Sequence, residues 1–257
     1  MSALALVLLT TALVVPASAG TTRIQRPIAL TASPARVNLQ GSGTATVRVT
    51  NAGHAPTVVV VRRAGFALDL RGRPRVVRAG KRSAQSWIRV RPAGFALRAG
   101  ASTTLTVTAK LPLRVEPGDH DALVLLTTRP ARRAGLAVRL RLGVVVGVRA
   151  PGRVVHALAL HGLRVRRAGR LRTLELLVAN RGNVTEHLGR DRVSLSLERA
   201  GRPAERLRPE PRDLLPRTRG VVLFRYRGRA RGIASARATI LPETDGSAVS
   251  RNYRIRL

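Results

Sequence analysis

The sequence predicts an all-β chain of two tandem β-sandwich domains behind a signal peptide. Three observations predict it. After Gly20, apolar residues recur at every second place in short runs rich in Val, Thr and Leu, the period of a half-buried strand. Gly, Pro, Asn or Asp bounds each run, and no segment carries a helical period with a cap. The pattern then restarts after Arg149-Ala150-Pro151-Gly152.

The leader comes first. An apolar stretch from Ala3 to Val15 is followed by Pro16 and by Ala17-Ser18-Ala19. Small residues at the first and third places of that triplet form an A-x-A cleavage pattern, so processing is expected before Gly20, leaving residues 1–19 as signal peptide. The stretch is shorter than the roughly 20 residues a membrane-spanning helix needs. It departs from the usual leader in having no Lys or Arg ahead of it. Arginine interrupts every later apolar run, so no transmembrane segment is expected in the mature chain. The expected location is extracytoplasmic, secreted or at the cell envelope.

Strands of the first domain, residues 20–149, are expected at Ile28–Thr31, Val37–Leu39, Thr44–Thr50, Thr57–Arg62, Phe66–Leu70, Trp87–Val90, Thr103–Ala109, His120–Thr127 and Leu136–Val148. Turns fall at Gly41-Ser42-Gly43, Asn51-Ala52-Gly53, Ala99-Gly100 and Pro117-Gly118-Asp119. The second domain, residues 150–257, repeats the pattern with Val154–Leu160, Leu171–Ala179, Val193–Leu197, Val221–Tyr226, Ala234–Ile240 and Val249–Ile255. Its stretch Arg206–Arg219, with three prolines and many charges, reads as a long loop. Short strands at regular spacing with turn signals between them make each half an immunoglobulin-like sandwich. The halves echo one another: Val47–Gly53 and Leu176–Gly182 are both a strand ending in Asn-x-Gly. Asn and Gly tolerate positive φ, which suits a sharp reversal. The shorter echo of Gly65-Phe66-Ala67-Leu68 in Gly94-Phe95-Ala96-Leu97 reads as coincidence.

Lys and Arg number 47 against 13 Asp and Glu, a net charge of +34, and only Lys81 and Lys110 are lysines. Two readings stay open. One is attraction to a polyanion such as nucleic acid, anionic lipid or a wall polymer. The other is the codon usage of a GC-rich genome, which explains Arg over Lys but not the scarcity of acids. In Trp87–Arg91, Leu136–Leu142, Leu223–Arg227 and Tyr253–Leu257, Arg takes every second place. Alternate side chains face opposite sides of a strand, so the guanidiniums point to solvent. Arg89, Arg91, Arg139, Arg141, Arg225 and Arg227 are the candidate cationic face. With three Phe, two Tyr and one Trp, the chain lacks the aromatic platforms of single-strand binders. It also lacks a recognition helix, and specific nucleic-acid binding is not expected.

Catalytic constellations are equally sparse. Cysteine is absent, which removes disulfides, thiolate chemistry and cysteine-based metal sites. Asp119-His120-Asp121 reads as a polar turn opening a strand, since neighbours on a strand face opposite ways and cannot readily share a metal. His156 and His161, five apart on an extended segment, also face opposite sides. The sequence has no G-x-S-x-G elbow and no P-loop. Asn183-Val184-Thr185 fits a glycosylation sequon and nothing more. No catalytic, cofactor or metal residue is assigned, and an enzyme is not expected.

Ser33-Pro34, Gly43 through Asn51-Ala52-Gly53, Phe95-Ala96-Leu97 with Gly100, Thr104–Ala109 and Pro117-Gly118-Asp119-His120 resemble bacterial cell-surface sandwich domains of the WxL-interacting type. The resemblance covers residues 28–148 and implies peptidoglycan binding. The C-terminal membrane helix and basic tail of those proteins are missing. A second resemblance is to periplasmic pilus chaperones, which also carry two immunoglobulin-like domains. It implies an edge strand donated to a subunit's sheet and a basic pair that anchors a carboxylate, which no two residues here match one by one. Leu136, Val138, Leu140, Leu142 and Val144 are the candidate donor edge; the competing reading is a paired strand packing a core. The functional expectation is an exported, non-enzymatic envelope protein binding an anionic or glycan cell-wall polymer or another surface protein. Strand donation and a structural spacer are the alternatives.

Overall fold

In the computed structural model, residues 29–129, 131–133, 136–169, 171–199, 202–228, 231–243 and 247–257 are described. The expected leader lies outside them. The first half forms β1 (Leu30–Ser33), β2 (Arg36–Gln40), β3 (Gly43–Asn51), β4 (Thr57–Leu68), β5 (Pro74–Val77), β6 (Ile88–Arg91), β7 (Gly94–Leu97), β8 (Ser102–Ala109), β9 (Gly118–Thr128), β10 (Ala131–Arg133), β11 (Leu136–Val138) and β12 (Arg141–Ala150). The second forms β13 (Leu158–Ala168), β14 (Leu171–Asn180), β15 (Glu186–Leu188), β16 (Val193–Arg199), β17 (Arg202–Leu207), β18 (Arg212–Leu214), β19 (Arg219–Tyr226), β20 (Ile233–Ile240) and β21 (Val249–Arg256). One short 3-10 turn spans Ala84–Ser86. The fold is two immunoglobulin-like sandwiches in tandem, as the alternation predicts.

Each sandwich closes two sheets over its own apolar core. In the first, β1-β3-β8-β6 faces β2-β12-β9-β4-β5, with β7 also on β4. Period two does the sorting. Val47 and Val49 of β3 and Leu105 and Val107 of β8 point inward and are buried. On the outer face of the same pair Thr46 lies opposite Thr106 and Arg48 opposite Thr104. Burying Leu105 completely is worth about 2 kcal/mol. The second sandwich sets β13-β14-β19 against β17-β16-β20-β21, with the β15-β18 pair beside them. Its core includes Leu174, Leu176, Leu195, Phe224 and Tyr226.

The two Asn-x-Gly echoes have a different basis from the one their residues suggest. Neither Gly53 nor Gly182 has positive φ. The asparagines instead turn inward and serve as polar plugs. Asn51 is fully buried; its Nδ2 donates to Ala55 O at 2.8 Å and Arg98 O at 3.2 Å, and its Oδ1 accepts from Gly53 N at 3.0 Å. Asn180 repeats this with Val184 O at 2.7 Å, Leu214 O at 3.0 Å and Gly182 N at 2.8 Å. An amide meets loop carbonyls and an N–H that burial would otherwise leave unpaired.

Four expected boundaries are corrected. Thr57–Arg62 and Phe66–Leu70 are one strand, β4. It runs through Gly65 because the missing Cβ admits β5: a Cβ there would lie 2.8 Å from Val77 O. Leu136–Val148 is broken at Arg139-Leu140. Thr128 N–H donates to Leu140 O at 3.0 Å and Thr128 Oγ1 accepts from Leu140 N at 2.9 Å, while among the described residues β10 and β11 pair only with each other. The stretch Arg206–Arg219 contains β18 and begins within β17, because Leu207 and Leu214 are buried in the second core. Gly94–Leu97, absent from the expected strands, is β7 and pairs with Thr57–Val60 of β4.

The sandwiches are bonded to each other. Asp119 N–H donates to Asn183 O at 2.8 Å and Thr185 N–H to Asp119 Oδ2 at 2.7 Å. Val221 N–H donates to Leu70 O at 2.7 Å. Gly118, at φ +115°, makes the approach possible: a Cβ there would collide with Asn183 O. Among the described residues, no helix is long and apolar enough to cross a membrane.

Candidate functional site

The expected donor edge divides between two elements. Leu136 and Val138 belong to the β10–β11 ribbon, Leu140 sits at the break, and Leu142 and Val144 belong to β12. Val138 is exposed, Val144 is buried, and Leu140 and Leu142 pack against the first core. What β12 leaves open is backbone. Along Arg141–Ala150 its inner side pairs with β9, but on its outer side β2 pairs only with Val145–Arg149. Among the described residues no strand covers Arg141–Val144 on that side. Val145 N–H donates outward to Ala35 O, so period two turns the Gly143 and Arg141 N–H groups the same way.

At the other end of β12, β2 and β9 meet the second sandwich around a cavity of about 370 Å³. Its polar groups are interlocked ion pairs. Arg36 bridges Asp121 at 3.1 Å and Asp213 of the second sandwich at 3.0 Å. Arg149 forks onto Asp119 at 2.6 and 3.0 Å, and His187 Nδ1 lies 2.9 Å from Asp213. The two aspartates on β9 differ in environment. Burial pushes the Asp121 carboxyl up to about 6, against the pull of Arg36. Burial also works to raise Asp119, but the Arg149 guanidinium and the Thr185 N–H outweigh it and hold that carboxyl below its usual range. Arg212, whose pKa burial lowers, crosses the same interface and donates to Leu70 O at 2.7 Å and Val221 O at 2.9 Å.

Asp119-His120-Asp121, read as a turn, lies within β9. Asp119 and Asp121 line the cleft. His120 turns away, tilts against Trp87 with ring centroids 4.5 Å apart, and places its nitrogens 3.0 Å from Arg82 O and 2.8 Å from Glu116 O. A second cluster escaped sequence reasoning. His156 Nδ1 and Arg192 Nη1 lie 2.8 and 2.7 Å from the carboxylate of Glu186, which is fully buried, and Arg192 also meets Glu243 at 2.9 Å. Ligand atoms of His156, Glu186 and Glu243 lie within 4.8 Å of one another. Arg192 already supplies the positive charge a metal ion would bring, so the set is an ion-pair knot. Its one sequence signal is Glu186 sharing the inward phase of a strand with Leu188.

The six arginines of the expected cationic face are exposed but do not share a face. Arg89 and Arg91 lie on β6, Arg139 and Arg141 at the β11–β12 junction, and Arg225 and Arg227 on and after β19. Arg225 is paired with Glu210. Arg36 and Arg149, which hold the cleft, were not singled out in the sequence, because nothing local marks a cation whose partner lies on another strand or in the other sandwich.

No protein family matches this sequence, and no curated protein does. Solved structures do match in fold. Against the class 5 fimbriae chaperone CfaA the TM-score is 0.51 at 12% identity, covering 87% of this chain and 98% of that one. The YadV chaperone gives 0.47 at 17% identity, covering 88% and 98%. The CsuC–CsuE chaperone–tip subunit complex from archaic chaperone-usher Csu pili of Acinetobacter baumannii gives 0.49 at 12% identity, covering 88% and 98%. These comparisons lend no support to the WxL-interacting resemblance. Its motifs were turn glycines and Pro-Gly-Asp corners that sandwiches of many kinds require. The likeness that stands is one of architecture, the two tandem immunoglobulin-like sandwiches also found in periplasmic pilus chaperones.

Proposed function

We propose that the chain is a non-enzymatic, extracytoplasmic chaperone-like protein that captures an envelope or surface subunit by adding its β12 edge to the partner's sheet. The observation that carries this is the one-sided pairing of Arg141–Val144. An unpaired strand edge is a template for another chain, and folded proteins usually cover or blunt it. Here no described strand covers it, beside the separate β10–β11 ribbon. The shared two-sandwich architecture with a fimbriae chaperone supports the reading. Affinity would come chiefly from main-chain hydrogen bonds at Arg141 and Gly143, with Val138 the exposed apolar contact, because Leu142 and Val144 are committed to the core. The cations nearest the inner end of β12, Arg36 and Arg149, are each paired to aspartates. A carboxylate entering the cleft would have to compete with Asp119, Asp121 and Asp213.

Amide hydrogen exchange tests the reading. The Arg141 and Gly143 amides are expected to exchange fast in the isolated protein, while those of Leu142 and Val144 stay protected by β9. Protection of all four in the isolated chain would eliminate strand donation from this edge.

A further inference from the structure

A groove of about 590 Å³ opens on the flank of the first sandwich, and its charged lining is Arg62, Arg63, Arg89 and Arg91, with no carboxylate among the lining residues. Its origin is topological. β7 covers Thr57–Val60 of β4 and β5 covers Gly65–Leu68, so the stretch between them faces the edge strand β6 of the opposite sheet. Val59 and Val61 carry the inward phase of β4, and Arg63 continues it where an apolar residue is expected. Its Nη1 donates to Ile88 O on β6. The guanidinium is therefore anchored at the base of the groove. Arg89 and Arg91 share the outer phase of β6, about 7 Å apart by strand geometry, a repeat suited to successive anionic groups of a polymer.

With 47 Lys and Arg against 13 Asp and Glu, most arginines have no carboxylate to pair with, and among the described residues no ion pair involves the four groove arginines; what distinguishes them is their convergence on one groove. Guanidinium forks match phosphate oxygens two at a time. No aromatic residue lines the groove, which removes the base-stacking surface that single-stranded nucleic acid uses. We infer that this groove is a binding site for a flexible phosphate-bearing polymer of the cell envelope, with Arg62, Arg89 and Arg91 taking successive phosphates above the anchored Arg63. This does not rest on strand donation by β12, and either can fail alone.

The test is binding of end-labelled inorganic polyphosphate to the whole protein at two salt concentrations. One variant carries Arg62→Ser, Arg89→Ser and Arg91→Ser. A control of equal charge carries Arg206→Ser, Arg237→Ser and Arg254→Ser, which removes exposed arginines from the outer face of the second sandwich. Arg63 is kept because it bonds a strand carbonyl. The groove variant is expected to bind at least tenfold more weakly and to lose about 0.7–0.9 from the salt slope per phosphate contact removed. The control is expected to stay within threefold of the unaltered protein. Equal losses in the two variants would mean diffuse charge and would overturn the site. Polyglutamate binding as tightly as polyphosphate, with the same sensitivity to the groove variant, would overturn its assignment to phosphate polymers, and oligothymidine doing so would overturn the exclusion of single-stranded nucleic acid. Unchanged circular dichroism of both variants keeps the comparison on binding.

Discussion

Replacing Asp121 with Asn removes a charge from the cleft between the sandwiches while keeping its shape. The Asp121 carboxyl titrates at about 6 in the folded protein, against 3.8 for its ordinary value, with burial the leading cause. Between those values the folded state holds a proton that the unfolded chain has released. Stability therefore falls as pH rises through that window and stays lower above it. Roughly two pH units at about 1.4 kcal/mol each come to about 3 kcal/mol. Asp119 works the other way: its carboxyl is held low, so its contribution is lost only as pH falls below the window. The assay is urea denaturation of wild type and Asp121→Asn at about pH 4, 6 and 7.5, followed by circular dichroism. The stability difference should move by about 3 kcal/mol in favour of wild type between the highest and lowest pH. A difference constant to about 0.5 kcal/mol, the scatter expected of independent sites, would show that Asp121 is not held in a desolvated position and would refute the account of the cleft.

Other expectations follow from single contacts. Asn180→Ala strands Val184 O, Leu214 O and the Gly182 N–H inside the protein; at 1–3 kcal/mol per unpaired group, a loss of about 3 kcal/mol or more is expected in the same denaturation assay. Gly118→Ala sets a methyl against Asn183 O at positive φ. It should loosen the junction by at least about 2 kcal/mol and broaden the small-angle scattering profile, whereas Gly41→Ala, whose Cβ meets nothing within 4 Å, pays only the φ penalty and leaves the profile unchanged. Glu186→Gln leaves Arg192 with the half-exposed Glu243 as its carboxylate partner and weakens the buried bonds to Arg192 and His156; it should cost about 1–3 kcal/mol, read as a drop in thermal midpoint.

Much of the architecture was legible because strand periodicity is a local property. Val47, Val49, Leu105 and Val107 can be assigned to the core by counting in twos, and Arg89 and Arg91 to the surface in the same way. The Asn51 and Asn180 echoes were visible as a repeat, but their role was not. A residue that tolerates a turn and a residue that plugs a core look alike until burial is known. Arg63 shows the opposite failure: a charge in the inward phase of β4 reads as noise until the opposite sheet supplies the Ile88 carbonyl.

The chain's own order of residues sufficed for the β class, the two-sandwich plan and the sidedness of core strands such as β3 and β8, since those depend on neighbours one and two places apart. Tertiary structure alone decided which edge of β12 no described strand covers, that Arg36 meets Asp213 in the other sandwich, and that Arg62, Arg63, Arg89 and Arg91 converge on one groove. The physical reason is that pairing register and the meeting of two sheets bring together residues far apart in the chain, and no local pattern encodes a distance between them.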